Sequence, residues 1–223
     1  MDRMKYGVIT ADIQGSTELD RLAFKRILQA LERLLKAHKE KEIISYYAFF
    51  QGDSLQVVAP SPTALLDYAM ILKTAVIQAG FESPEKAGRR RAVTADLRVS
   101  MAIGPLSTPN NPAKSNDPPL IRSGRGLERL KKQKKLMGLF DDQSPLEQEV
   151  NTLLSLWEHI MKSWSVFHGQ LFYRKLQKIT EKEIATEFAV SQPAINQSTR
   201  RAGWPVYRQL TRRFHHLVNQ PYE

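Results

Sequence analysis

Two aspartates stand beside tight turns near the start of the chain. Asp12 lies at the end of a β-forming run over residues 5–13 and precedes the turn Gly15-Ser16-Thr17. Asp53 follows Gly52 in a dipeptide that is strongly favoured in β-hairpin turns. Mg²⁺ and Mn²⁺ prefer oxygen ligands such as carboxylates, and two such ions can clamp the phosphates of a nucleotide. The pattern predicts a divalent-cation site formed by Asp12 and Asp53.

Each aspartate also has a purely structural interpretation. Asp12 can cap the helix that follows it, and Asp53 is a preferred turn residue whatever the function of the turn. Both interpretations stay open at this point. If a nucleotide binds here, the two turns supply its remaining contacts, which are Ile13, Gly15, Ser16, Thr17 and Gly52.

Hydrophobic periodicity predicts the elements that position these residues. Strands are expected over residues 5–13, 43–50, 55–59 and 96–104, and helices over about 20–39, 61–80 and 120–137. The order strand, helix, hairpin, helix, strand, helix favours an α+β fold. In it, an antiparallel sheet carries its helices on one side. Beyond a boundary at residues 141–145, every element is expected to be helical.

Residues 180–201, TEKEIATEFAVSQPAINQSTRR, predict a helix-turn-helix. Ala185 is the small residue that lets the second helix cross the first closely. Ile184, Phe188, Val190 and Ile195 are the expected core positions. The stretch Ser191-Gln192-Pro193 supplies an N-cap and a first-turn proline for the second helix. The segment resembles the helix-turn-helix of bacterial regulators and of sigma-factor-like modules.

The same segment predicts contacts with DNA. The side chains expected at base edges are Gln192, Asn196, Gln197 and Arg200, and those expected at phosphates are Ser191, Arg201 and Arg208. The formal net charge of +10 favours a polyanionic partner such as nucleic acid. The alternative is a three-helix packing module that serves oligomerisation and never meets DNA.

Composition limits the compartment and the chemistry. The chain has no cysteine, so it contains neither a disulfide framework nor a thiolate metal site. No apolar run approaches the roughly 18 residues of a membrane span, and the first residues lack the apolar core of a signal peptide. We expect a soluble cytoplasmic protein with no membrane partner.

Taken together, the N-terminal motifs resemble the catalytic palm of class III nucleotide cyclases. The matching stretches are Asp12-Ile13-Gln14-Gly15, the Gly52-Asp53 hairpin, the strand from Arg98 to Gly104 and a helix that carries Arg125. The chain also resembles the SatD-like family of bacterial proteins, which joins such a palm to a C-terminal helix-turn-helix. Residues 11–16, residues 52–56 and the C-terminal module carry that second resemblance, which spans nearly the whole chain.

The cyclase resemblance implies roles for particular residues. Asp12 and Asp53 would hold two ions of Mg²⁺ or Mn²⁺, and Arg125 would act catalytically by stabilising charge on the transferring phosphate. Cyclase palms form their sites between two subunits, so the resemblance also implies a homodimer. Phe49 stands where cyclases place a base-reading lysine, and Ile121 stands where they place an asparagine. These departures leave three alternatives: a degenerate enzyme, a different nucleobase, or a palm that only binds a nucleotide.

The sequence therefore predicts two domains: a ferredoxin-like, cyclase-type palm at residues 1–140 and an all-α helix-turn-helix domain at 146–223. The expected function is DNA-binding regulation, with the palm binding a nucleotide and a divalent metal or mediating dimerisation. The alternative is a metal-dependent nucleotide cyclase or nucleotidyl transferase that makes a nucleotide signal. A scaffold with neither activity is the third interpretation.

Overall fold

The computed structural model describes residues 4–50, 52–80, 95–112, 115–141 and 144–220. Within these ranges five strands form one sheet in the order β2-β3-β1-β4-β5. The strands are β1 (Lys5–Gln14), β2 (Tyr46–Phe50), β3 (Ser54–Ala59), β4 (Asp96–Pro105) and β5 (Met137–Leu139). Three of the four neighbouring pairs are antiparallel, whereas β4 and β5 are parallel. The sheet is therefore mixed rather than wholly antiparallel. The sequence does not predict β5, the strand that adds the parallel pair.

The helices alternate with the strands at first and then follow one another without interruption. They are α1 (Arg21–Glu40), α2 (Leu65–Ala79), α3 (Pro118–Gln133), α4 (Ser144–Met161), α5 (Val166–Leu176), α6 (Glu181–Glu187), α7 (Gln192–Arg201) and α8 (Trp204–Asn219). A short 3₁₀ helix, Pro62–Ala64, precedes α2. None of the described helices combines the length and the apolar content that crossing a membrane requires. The predicted α+β class is confirmed.

Helices α1 and α2 cover one face of the sheet. The helix α1 begins at Asp20, whose carboxylate accepts a 2.7 Å hydrogen bond from the backbone N–H of Ala23. Its apolar stripe of Ile27, Leu31 and Leu35 is fully buried, as the 3.6-residue period predicts. Nearly every side chain of α2 is buried, because this helix packs against the sheet on one side and against the C-terminal helices on the other.

Helix α3 packs on the opposite face of the sheet, which corrects the prediction of helices on one side. Successive residues of a strand point to opposite faces, so Thr10 and Ile9 of β1 face different layers. Ile9 belongs to the core beneath α1 and α2, whereas the Thr10 hydroxyl lies 2.8 Å from the hydroxyl of Ser123 on α3. Gly104 of β4 permits a close approach of Pro119, since a Cβ atom there would lie 2.7 Å from its ring. The sheet is thus enclosed between two helical layers.

The hydrophobic core continues across the predicted domain boundary. Trp157, Phe172 and Tyr207 of the C-terminal helices belong to the same buried cluster as the inner residues of the sheet. Tyr207 donates a 2.7 Å hydrogen bond to Asp67 of α2. Residues 142 and 143, within the predicted boundary, lie outside the described residues. The boundary marks a change from sheet to helices, but the packed interior does not break there.

A second, smaller cluster joins α5, α6 and α7. It consists of Leu171, Ile184, Ala185 and Ile195, with Phe167, Ile179 and Phe188 packed against it. Ala185 and Ile195 are thus buried at the positions that the sequence predicted. Val190 is 44% exposed, so its predicted place in the core is wrong. The reason is the turn: Ala189 adopts a left-handed conformation and the Val190 N–H donates back to Ala185, which leaves the Val190 side chain outside.

Candidate functional site

The end of β1 and the β2–β3 turn bring Asp12 and Asp53 next to each other. Asp12 is paired in register with Ser54, the residue after Asp53. The backbone N–H of Ile13 donates to the carbonyl of Asp53 over 3.1 Å. The Ser16 hydroxyl donates a 2.8 Å hydrogen bond to the Asp53 carboxylate, which ties the two turns together. Asp12, Asp53 and Ser16 therefore form one polar group at this end of the sheet.

Two basic side chains accompany the Asp12 carboxylate. Nη1 of Arg98, from β4, lies 3.1 Å from Asp12 Oδ2 and 3.3 Å from Oδ1. Nζ of Lys131, from the last turn of α3, lies 3.4 Å from Oδ2. A hydrogen bond with Glu128 and the charge of Asp12 together raise the pKa of Lys131. The Asp12 carboxylate is only 10% exposed, so its negative charge is balanced mainly by these two cations.

This arrangement is a poor fit for a dedicated Mg²⁺ or Mn²⁺ site. Such ions take about six oxygen ligands, and a cation must displace or tolerate any ammonium or guanidinium group at the same carboxylate. Among the described residues, no group of three or more His, Asp or Glu side chains is placed to hold a metal ion. Metal binding by Asp12 and Asp53 stays a prediction.

Arg125 is exposed on α3, whose buried side is formed by Ser123, Gly126 and Leu127. No described hydrogen bond or ion pair joins Arg125 to Asp12 or Asp53. The structure instead brings Arg98 and Lys131 to the carboxylate, and the sequence predicts neither of them as its partner. Only the antiparallel register of β1 and β4 identifies Arg98, because it places this residue directly opposite Asp12.

The residues predicted to contact a nucleotide differ in their exposure and in the groups that are free to bind a ligand. The side chain of Ile13 is buried in the core, which leaves only its backbone for a ligand. Gly15 and Gly52 have φ angles of 70° and 81°, a left-handed region in which glycine is unstrained. Thr17 and Gly52 are exposed, while Ser16 is already hydrogen-bonded to Asp53. The two turns are therefore open to solvent next to the carboxylates.

The second candidate surface is the exposed side of α7. Ser191 caps this helix by accepting the Ala194 N–H, and Pro193 occupies the first turn. Ile195 and Thr199 are buried. Five of the exposed residues are polar or basic, namely Gln192, Asn196, Gln197, Arg200 and Arg201, and Pro193 and Ala194 are exposed beside them. Asn196 donates to Glu181 of α6 over 3.1 Å, whereas no described acid pairs with Arg200, Arg201 or the exposed Arg208 of α8.

The C-terminal end of α7 and the end of the preceding helix α6 are both attached to the rest of the protein. The indole N–H of Trp164 donates a 3.0 Å hydrogen bond to the carbonyl of Ala202, the residue that ends α7. Arg174 of α5 donates from Nε and Nη2 to the carboxylate of Glu187 of α6 and also lies over the Phe188 ring. These contacts fix the direction in which α7 presents its polar side chains.

Comparison with known proteins adds no assignment to either surface. No protein-family model matches this chain, and no curated protein matches its sequence significantly. The polar group at Asp12 and the outward side of α7 are defined by their own geometry and charge.

Proposed function

We propose that this protein is a DNA-binding regulator that inserts α7 into the major groove. The observation that carries the proposal is the division of α7 into two sides. Ile195 and Thr199 are buried against the protein, while Gln192, Asn196, Gln197 and Arg200 are exposed. Glutamine and asparagine pair with adenine and arginine pairs with guanine, so this surface has the chemistry that reads base edges.

The charges around α7 support the same proposal. Arg201 and Arg208 are exposed and have no acidic partner among the described residues, and Ser191 lies at the N-terminus of the helix. In DNA complexes, such groups bind phosphates and fix the register of the helix in the groove. The formal net charge of +10 favours association with a polyanion over the whole surface.

The local packing supports a helix-turn-helix interpretation of α6 and α7. Thr180 and Glu183 form a capping box at the start of α6, which fixes where that helix begins. Buried Ala185 lets α7 approach α6 closely, and the left-handed Ala189 reverses the chain within four residues. A short turn between two such helices is the arrangement that DNA-binding proteins use to support a recognition helix.

In this proposal the sheet domain senses a small molecule or mediates dimerisation. The element order βαββαβ and the strand order β2-β3-β1-β4 are those of ferredoxin-like folds, which supports the resemblance to cyclase palms. A homodimer would present two copies of α7 to two half-sites of an operator. Divalent metal binding at Asp12 and Asp53 would belong to this sheet domain, and recognition of DNA by α7 does not depend on it.

A metal-dependent nucleotide cyclase or nucleotidyl transferase is the second candidate. The proximity of Asp12, Asp53 and Ser16 at two solvent-facing turns favours it. The pairing of Asp12 with Arg98 and Lys131 disfavours it, as does the lack of a described hydrogen bond or ion pair between Arg125 and that carboxylate. DNA-binding regulation is the better supported of the two.

Selection from a random pool of DNA duplexes tests the proposed function. The purified chain should enrich one sequence over successive rounds, and a homodimer should enrich two related half-sites. A protein in which Gln192, Asn196 and Arg200 are all replaced by alanine should enrich none. If the unmodified chain enriches no sequence and retains no duplex at low salt, the proposal fails.

A further inference from the structure

A cleft of about 520 Å³ lies where the end of the sheet meets the C-terminal helices. Its walls come from the end of β1, the buried side of α2, the start of β4, the segment after α3 and the end of α4. Neither Asp12 nor Asp53 lines it, although Gln14 and Gly15, which follow Asp12 in the chain, do. Pockets that bind small molecules measure roughly 300–1,000 Å³. The cleft has the size of a ligand site.

A buried lysine lines the cleft. Lys73 of α2 is only 1% exposed, and its ammonium group donates 2.6 Å to Asp96 and 2.9 Å to the carbonyl of Leu97. An ammonium group has three donors, so one remains without a partner among the described residues. A buried cation with an unused donor beside an open cavity is favourably placed to bind an anion.

A carboxyl group with unused acceptor capacity stands in the same cleft. Oε1 of Glu158, on α4, accepts the backbone N–H groups of Leu136 and Met137 at 3.0 Å and 2.5 Å. Its second oxygen has no described hydrogen bond. Burial raises the pKa of this carboxyl group. Glu158 can therefore accept a hydrogen bond from an N–H group of a ligand.

Two further lysines line the cleft from its exposed side. Lys134 and Lys162 are solvent-exposed, and neither has an acidic partner among the described residues. Of the three acids in the lining, Asp96 is paired with Lys73, while Glu18 and Glu158 balance the formal charge of the two exposed lysines without pairing with them. Two unpaired ammonium groups beside one cavity favour a ligand that carries concentrated negative charge, such as a phosphate.

We propose that this cleft binds a phosphorylated small molecule of mononucleotide size. Lys134 and Lys162 bind the phosphate, Lys73 donates from the buried side, and Glu158 accepts from a donor on the base. The cleft also connects to the DNA-facing helix, because Trp164 lines it and donates to the carbonyl that ends α7. Binding of the ligand to the cleft does not depend on the proposed DNA recognition, while the ligand's role as an effector rests on that proposed function.

Isothermal titration calorimetry tests the site with AMP, GMP, CMP, UMP and inorganic phosphate, in buffer that contains EDTA. Chelation removes divalent metals, so binding cannot arise from metal held by Asp12 and Asp53. The test variant is Lys134→Glu/Lys162→Glu. The matched control is Lys25→Glu/Lys36→Glu, which reverses two exposed charges of α1 that lie outside the cleft lining. Circular dichroism verifies that both variants fold.

The chain and the control variant should bind at least one nucleotide with one-to-one stoichiometry and more tightly than inorganic phosphate. The Lys134→Glu/Lys162→Glu variant should bind it about tenfold or more weakly, equivalent to about 1.4 kcal/mol or more. Three results overturn the proposal: no nucleotide binds the chain, binding is unchanged in the cleft variant, or binding falls equally in the control. The titration contains no DNA, so a failure of DNA recognition by α7 would leave its result unaffected.

Discussion

Arg98 of β4 lies directly opposite Asp12 of β1, and its Nη1 atom is 3.1 Å from Asp12 Oδ2. Both side chains are nearly buried, with exposures of 13% and 10%. Their ion pair fixes the carboxylate at the sheet end and balances its charge inside the protein. The properties of the carboxylate pair depend on this contact.

Replacing Arg98 with alanine should lower the free energy of unfolding by about 2–3 kcal/mol, because the Asp12 carboxylate would keep only Lys131 as a cationic partner. Urea denaturation measures the change. Asp12→Asn/Arg98→Ala should cost clearly less than the sum of the two single variants, since each single variant breaks the same pair.

The stability loss of Lys131→Ala is compared with that of Arg98→Ala. The Lys131 side chain is 38% exposed, so solvent screens its interaction with Asp12. We expect a loss of only about 0.5 kcal/mol. A loss as large as that of Arg98→Ala would contradict this expectation and show that Lys131 contributes as much as Arg98 to holding the carboxylate.

Replacing either of two glycines of α3 with alanine should change the stability of the protein, in opposite directions for the two positions. A Cβ atom at Gly126 would collide with the Phe140 ring and the Ser100 hydroxyl, whereas one at Gly124 would meet no atom within 4 Å. Gly126→Ala should destabilise the protein by about 1–3 kcal/mol through overpacking against the sheet. Gly124→Ala should stabilise it by about 0.5–1 kcal/mol, because alanine favours the helix.

Thermal unfolding of the two glycine variants measures this difference. Both substitutions add one methyl group to the same helix, so helix propensity cancels and only the packing against the sheet differs. Equal shifts in Tm would contradict the placement of α3 on this face of the sheet.

The hydrogen bond from Tyr207 to Asp67 should stabilise the packing of the C-terminal helices on α2. Burial and the neighbouring Asp67 carboxylate both raise the pKa of Tyr207, so the phenol stays protonated and acts as the donor. Tyr207→Phe should lower the free energy of unfolding by about 1–2 kcal/mol. Far-UV and tryptophan signals should still report one coincident transition, because the core is continuous. Two separate transitions would indicate independent domains.

Glu158 should make stability depend on pH. Burial raises its pKa in the folded protein above the ordinary value of 4.5, so the folded state binds the proton more tightly than the unfolded state. The resulting stabilisation is complete below that ordinary value and is lost as the pH rises through the folded-state pKa. Glu158→Gln does not titrate, so its stability relative to the unmodified chain should rise with pH in this window. A pH-independent difference between the two denaturation midpoints would contradict the assignment.

Much of the fold follows from local pattern. The alternation in residues 96–104 and the helical stripe of Ile27, Leu31 and Leu35 predict β4 and α1 within a few residues. The strand β5 has only three residues, too few for a periodic signal. The hydrophobic pattern predicts α3 to residue 137, whereas the helix ends at Gln133 because Lys134 adopts a left-handed conformation. Which face α3 covers depends on contacts such as Thr10–Ser123, which no local pattern encodes.

The candidate sites were predictable to different degrees. The glycine-containing turns beside Asp12 and Asp53 identify these two aspartates from the sequence. The spacing of Ala185 and Ile195 predicts the helix α7. The partners of Asp12 could not be predicted, because Arg98 requires the strand register and Lys131 is one of several basic residues on α3. The cleft at Lys73 could not be predicted from the sequence either, because its walls come from five separate elements that only the fold brings together.

Salt-dependent binding measured by fluorescence anisotropy tests directly whether α7 recognises DNA. The chain, Arg200→Ala/Arg201→Ala and the control Lys25→Ala/Lys36→Ala are titrated against a labelled duplex between about 50 and 200 mM salt. We expect the chain and the control to bind with the same steep salt dependence. The α7 variant should bind about tenfold or more weakly and lose about one unit of salt slope. If it binds with the affinity and slope of the unmodified chain, α7 is not the surface that contacts DNA.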